Sequence, residues 1–177
     1  MKKNIFVFGT IAGLILTGFM MYAGIKLYNN PGDFSGNTIV GFAGMIGTYA
    51  LMFAGIKNYR DKYNGGVISF GKAFKIGFLI ALLASTFVVV TWLVAYYAFI
   101  PDFLDKYYLH MQIMAKTAES VEMMKQADQQ MKVYSMFYKT PFGVAFVTYL
   151  EVLPIGVVVA LISAFSLKRK ISKNQNV

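Results

Sequence analysis

The chain has 177 residues, 57% of them hydrophobic and 14% charged, with a mean hydropathy of +0.54. Soluble domains average about 45–50% apolar and about 25% charged, so a soluble enzyme or a disordered tail fits poorly. The formal net charge is nonetheless +9, a combination that suggests a membrane protein with its charge outside the bilayer. The absence of Cys excludes disulfides, thiolate metal sites and cysteine nucleophiles, and the single His excludes a multi-histidine zinc centre within one chain.

Four apolar runs follow in chain order. The first covers residues 5–25, about 21 residues and enough to cross a ~30 Å hydrocarbon core at ~1.5 Å per residue. It exceeds the apolar region of a secretory signal, and no A-x-A site follows it. The second run is 38–56, the third 76–100 and the fourth 142–167. Thr140-Pro141 opens the fourth with an N-cap residue and a first-turn proline, and Lys168-Arg169-Lys170 closes it. The expected fold is therefore all-α: four transmembrane helices in a single membrane domain, with a helical extracytoplasmic segment at 101–141.

The charges give a direction. The N-terminus, a basic loop at 57–75 and the C-terminal tail together hold 11 basic residues against one acid, Asp61. Residues 26–37 and 101–141 hold six of each sign, and Glu151 alone lies inside a span. The positive-inside rule then places both termini in the cytoplasm. The basic excess reports orientation and argues against nucleic-acid binding.

Lipid offers no hydrophobic drive between helices, so small residues must let backbones approach. Gly9, Gly13 and Thr17 form such a ribbon, as do Gly77, Ala81 and Ser85, and Gly156, Ala160 and Ala164. The second run has Gly41, Gly44, Gly47 and Thr48. Packing within one bundle is the expectation, with a homo-oligomer contact as the alternative. Shifted by 31 residues, 12–28 matches 43–59 at ten of seventeen positions, both copies ending A-G-I-K-x-Y. Similar snorkelling anchors account for this more simply than an inverted repeat.

Between the third and fourth runs, Leu104, Tyr107, Met111, Met114, Ala118 and Val121 recur at helical spacing. The stripe loses phase near 123–125 and resumes at Ala127, Met131, Tyr134 and Tyr138, which predicts two helical pieces. His110, Met111 and Met114 are donors that suit Cu(I). The methionines follow the apolar stripe, however, and read as packing residues, so no metal or other cofactor is assigned.

Two polar features stand out. Glu151 lies in Y-L-E-V-L-P-I-G, with Pro154 and Gly156 following. A carboxylate among lipid must be neutral, paired or open to a wet cavity. Pro154 removes a helical donor and predicts a kink. Tyr49, Thr91 and Tyr96 are candidate partners. A structural role and a proton or ion site are both open. The other feature is the basic loop, where Ser69 can cap a helix starting at Phe70 and where Arg60, Lys62, Lys72 and Lys75 can meet anionic headgroups at about 1 kcal/mol each. The G-x-x-x-x-G-K-[ST] spacing of a P-loop is absent, as are H-E-x-x-H and G-x-S-x-G.

The loop G-I-K-N-Y-R-D-K-Y-N-G-G-V-I-S-F-G-K-A-F-K-I-G and the fourth-span L-E-V-L-P-I-G resemble a family of small bacterial inner-membrane proteins, domain of unknown function 4199. The resemblance covers nearly the whole chain. It implies four spans and a polar helical extracytoplasmic segment, and it supplies no activity, cofactor or catalytic residue. It also hints at a role beside membrane glycosyltransferases. The leading expectation is a non-enzymatic accessory or scaffold subunit, with a membrane-protein partner or a homo-oligomer. A small proton- or ion-coupled transporter centred on Glu151 and Pro154 is the alternative. A lipid-handling helper of a glycosyltransferase is a third reading.

Overall fold

A computed structural model describes residues 1–32 and 38–169, with the side chains of 38–40 left aside. Asp33, Lys170 and Lys173, used in the charge argument, lie outside the described residues.

Among the described residues, seven helices follow one another: α1 (Lys2–Asn29), α2 (Thr38–Tyr49), α3 (Leu51–Tyr63), α4 (Phe70–Ala98), α5 (Phe103–Thr117), α6 (Val121–Phe137) and α7 (Pro141–Leu167). Three of them, α1, α4 and α7, are long and apolar enough to cross a membrane. At 27–29 residues each reaches roughly 40 Å. They correspond to the first, third and fourth apolar runs.

The second run differs from expectation. It is divided at Ala50 into α2 and α3, of 12 and 13 residues, each too short to span alone. Ala50 keeps right-handed helical angles, and its N–H still donates to the Ile46 carbonyl at 2.9 Å. The next bond is tighter, from Phe53 N–H to the Ala50 carbonyl at 3.0 Å. The break is thus a one-residue change of hydrogen-bond register. No Gly or Pro stands at 49–51 to announce it.

Helix α4 packs chiefly against α7 and α1, and α3 lies against all three. Small residues make these approaches possible. A Cβ on Gly9 would stand 2.7 Å from Leu83, one on Gly77 3.0 Å from Ala160, and one on Gly156 2.8 Å from Ala81. The ribbons of α1, α4 and α7 therefore hold the bundle together, as expected from lipid-phase packing. The buried core runs through Leu16, Tyr49, Met52, Ile56, Ile80 and Val152.

At one end of the bundle, the Asn4 side chain donates to the Gly55 carbonyl, and Ile68 pairs with Arg169 through two backbone hydrogen bonds of 3.0 and 2.9 Å. The described basic residues of the N-terminus, the 57–75 loop and the end of α7 thus gather at the same end. Helices α5 and α6 form a hairpin at the other. The hairpin breaks at 118–120, before the expected 123–125. Glu119 adopts a positive φ of 49°, and the Ser120 hydroxyl caps α6 by accepting from Met123 N–H at 3.2 Å. The cap decided the boundary where the apolar stripe alone could not.

Candidate functional site

Local rules set up the fourth span as expected. Thr140 Oγ1 accepts from Gly143 N–H at 3.1 Å, with Pro141 in the first turn. The helix runs on through Pro154 to Leu167. Glu151 lies on its third turn, next to the buried positions Val147, Thr148 and Val152.

The partner of Glu151 is none of the three residues expected. Tyr134 of α6 donates its hydroxyl to Glu151 Oε1 at 2.6 Å. Tyr49 instead shares a 2.9 Å hydrogen bond with Ser85 and reaches the Val152 carbonyl at 3.4 Å. The α6–α7 turn is tight enough to bring α6 back along α7, which places Tyr134 opposite a residue seventeen positions away. Gln130 Nε2 donates to the Tyr134 oxygen at 3.1 Å and to the Tyr107 oxygen at 3.3 Å. The Tyr134 proton is therefore free to point at Glu151, and three helices are joined in one polar chain.

Aromatic rings surround that chain. Tyr107 stacks on Tyr134 at 6.0 Å, Phe103 on Tyr107 at 6.1 Å, and Trp92 meets Phe103 edge-on at 4.7 Å. Trp92 Nε1 donates to Tyr138 Oη at 3.3 Å. Together they wall a cavity of about 260 Å³, completed by Phe19, Met20 and Leu27 of α1, Gly41 and Met45 of α2, Val88 of α4, and Thr148 and Glu151 of α7. Glu151 lines the cavity and is exposed rather than sealed into the core.

The hairpin phenols stay protonated well past neutral pH. Burial raises Tyr134 and Tyr107 above the usual tyrosine range, and the Glu151 charge pushes both the same way. Tyr138 is raised by burial, against the opposing hydrogen bond from Trp92. Among the described residues, no Lys, Arg, His or Asp joins the cavity wall.

The other expected site residues separate. Pro154 is exposed and away from the cavity, while Gly156 is buried against Ala81 and Tyr49 as a packing contact. At the basic end, Ser69 caps α4 by accepting from Lys72 N–H at 3.3 Å. Lys72 Nζ donates to Asn64 Oδ1 at 2.7 Å and lies 5.1 Å above the Tyr59 ring. Arg60 Nε pairs with Asp61 at 2.6 Å, and its Nη1 donates to the Leu167 carbonyl at 3.4 Å. Lys62 and Lys75 are exposed. His110 Nδ1 donates to the Pro31 carbonyl at 2.8 Å, tying α5 to the turn after α1.

Sequence reasoning singled out Glu151 and missed Trp92, Tyr107, Gln130 and Tyr138 as its surroundings. The available signal was the aromatic content of the α5–α6 stripe, where Tyr107, Tyr134 and Tyr138 already shared the apolar face.

Residues 7–169 match the family described as protein of unknown function (DUF4199). The chain belongs to that family. No curated protein and no solved structure matches it. The match includes every residue of the Glu151 cavity named above.

Proposed function

We propose that this family member is a non-enzymatic protein of the bacterial inner membrane that binds a hydrophobic or amphipathic small molecule in the Glu151 cavity. On this reading α2 and α3 together make a fourth span, and both termini are cytoplasmic. The gathering of the basic segments at one end of the bundle supports that sidedness. Exposed Lys62 and Lys75 would then face anionic headgroups.

The observation that carries the reading is the lining of the cavity. Six helices contribute a mostly apolar, aromatic wall with a few hydroxyls and the Glu151 carboxyl, the usual build of a small-molecule site. At about 260 Å³ it falls just under the common range of about 300–1,000 Å³, which suits a ligand of one ring or a short chain. Pro154, the natural hinge of a transport mechanism, stands apart from the cavity, which favours binding over a Pro154-centred gate.

Trp92 is the single tryptophan of the chain and lies in the cavity wall, so it reports on occupancy. Purified protein in detergent should show saturable energy transfer from Trp92 to the neutral dye N-phenyl-1-naphthylamine. Ala23→Phe, which adds a ring to the lining, should abolish it. Unsaturable transfer, or transfer that Ala23→Phe leaves unchanged, would reject the reading.

An accessory role finds separate support in glycines that the bundle leaves open. A Cβ added to Gly18 or Gly47 would meet nothing within 4 Å, unlike one on Gly9, Gly44 or Gly55. A partner helix or a second copy could close on such a surface. Purification in mild detergent would then yield a stoichiometric partner or homo-oligomer that Gly47→Leu disrupts. A monomer unaffected by that change would count against it.

A further inference from the structure

We infer that the cavity is built for a lipophilic organic cation, an ammonium-type head carried on one ring or a short apolar chain. The inference rests on the binding role proposed above and names the chemistry of the ligand.

Among the described residues, Glu151 is the only Asp, Glu, Lys or Arg in the cavity wall. Its Oε1 accepts from Tyr134, whose own oxygen already accepts from Gln130, so the donors are arranged around a carboxylate. Its Oε2 has no hydrogen-bond partner among the described residues, and the side chain is accessible from the cavity. Among the described residues the sole ion pair is Arg60–Asp61, far along the chain at the basic end. A carboxylate amid apolar surface without a counter-charge is costly. A ligand that brings a positive charge removes that cost, whereas an anionic ligand increases it.

The wall specifies what kind of cation. Trp92, Phe103, Tyr107, Tyr134 and Tyr138 line the cavity as a cluster of rings, and aromatic rings attract a diffuse cation within about 6 Å through their quadrupoles. Phenols are neutral at physiological pH, and burial holds these protons on more firmly still, so they add no second negative charge. A hard metal ion would need about six oxygen ligands, and the described wall residues supply a single carboxylate with a few hydroxyls. An organic ammonium needs only one carboxylate and the rings.

The test uses two probes of nearly the same shape, benzyltrimethylammonium and its neutral carbon analogue neopentylbenzene. Full-length protein is studied in dodecyl maltoside, a detergent without an ammonium group, with Trp92 emission as the readout. The ammonium probe should bind at least about tenfold more tightly than the neutral one. Glu151→Gln should remove that preference while leaving neopentylbenzene affinity within about twofold, and Glu151→Asp should keep part of it. Equal binding of both probes to the wild type would overturn the cationic assignment and leave the cavity-binding reading intact. Binding of neither probe would overturn both. The wild-type comparison decides the matter even if Glu151→Gln folds poorly.

Discussion

The two ends of the bundle treat charge in opposite ways. At the basic end each described cation is either exposed or matched locally: Arg60 by Asp61 and the Leu167 carbonyl, Lys72 by Asn64 and the Tyr59 ring. At the aromatic end the single acid inside the fourth span receives, among the described residues, one hydrogen bond and no cation. The first arrangement closes a loop and joins it to the end of α7. The second leaves binding capacity unused, which is what a ligand site requires. Charge that a fold satisfies internally contributes to architecture. Charge that it holds ready and unsatisfied is the better marker of function.

The contrast can be broken most severely at the turn that builds the aromatic end. A Cβ on Gly143 would overlap the Phe137 carbonyl oxygen, a backbone atom that cannot move aside without opening the α6–α7 turn. Gly143→Ala should destabilise the protein by roughly 3 kcal/mol or more and should release Tyr134 from Glu151. Thermal melts in detergent would measure the first effect and dye transfer from Trp92 the second. A wild-type melt would mean that the turn is not closed as described.

A smaller effect is expected at the polar chain itself. Tyr134→Phe keeps the ring stacked between Tyr107 and Tyr138 and deletes only the hydroxyl that meets Glu151. Hydrogen bonds to charged groups contribute about 1.5–3 kcal/mol, so a loss in that range would follow in denaturation monitored by circular dichroism. Tyr49→Phe, removed from the cavity wall, supplies the comparison.

Alkaline pH should also separate the ends. Tyr107, Tyr134 and Tyr138 hold their protons to higher pH in the folded state than in the unfolded chain. Stability from these phenols is then fully present below their unfolded pKa of about 10 and is lost as pH rises through the folded values. Melting temperature should stay flat up to about pH 9 and fall above about pH 10. Tyr134→Phe should blunt that fall. The least effect belongs to the exposed pair at the basic end, where Asp61→Asn should shift the melting temperature by no more than about 1 °C.

Much of this architecture is legible from local signals. Sustained apolarity marks α1, α4 and α7, while Ser69 and Thr140 cap their helices as their positions before apolar runs predict. The ribbons of small residues foretell which faces approach. The break at Ala50 is not legible, because that stretch contains no Pro or paired Gly there and the change is one of backbone register. The link from Tyr134 to Glu151 is hidden for another reason. It depends on how the α5–α6 hairpin folds back on the spans, a tertiary fact that periodicity along one helix cannot carry. Glu151 announced itself by being costly in its own surroundings, but its partner looked like one more aromatic on an apolar stripe.

The most direct test of the cavity is native mass spectrometry of the protein released gently from its own membrane, with Ala23→Phe beside the wild type. The account predicts a small-molecule adduct on the wild type that is missing from Ala23→Phe. A bare wild type, or the same adduct on both proteins, would contradict it.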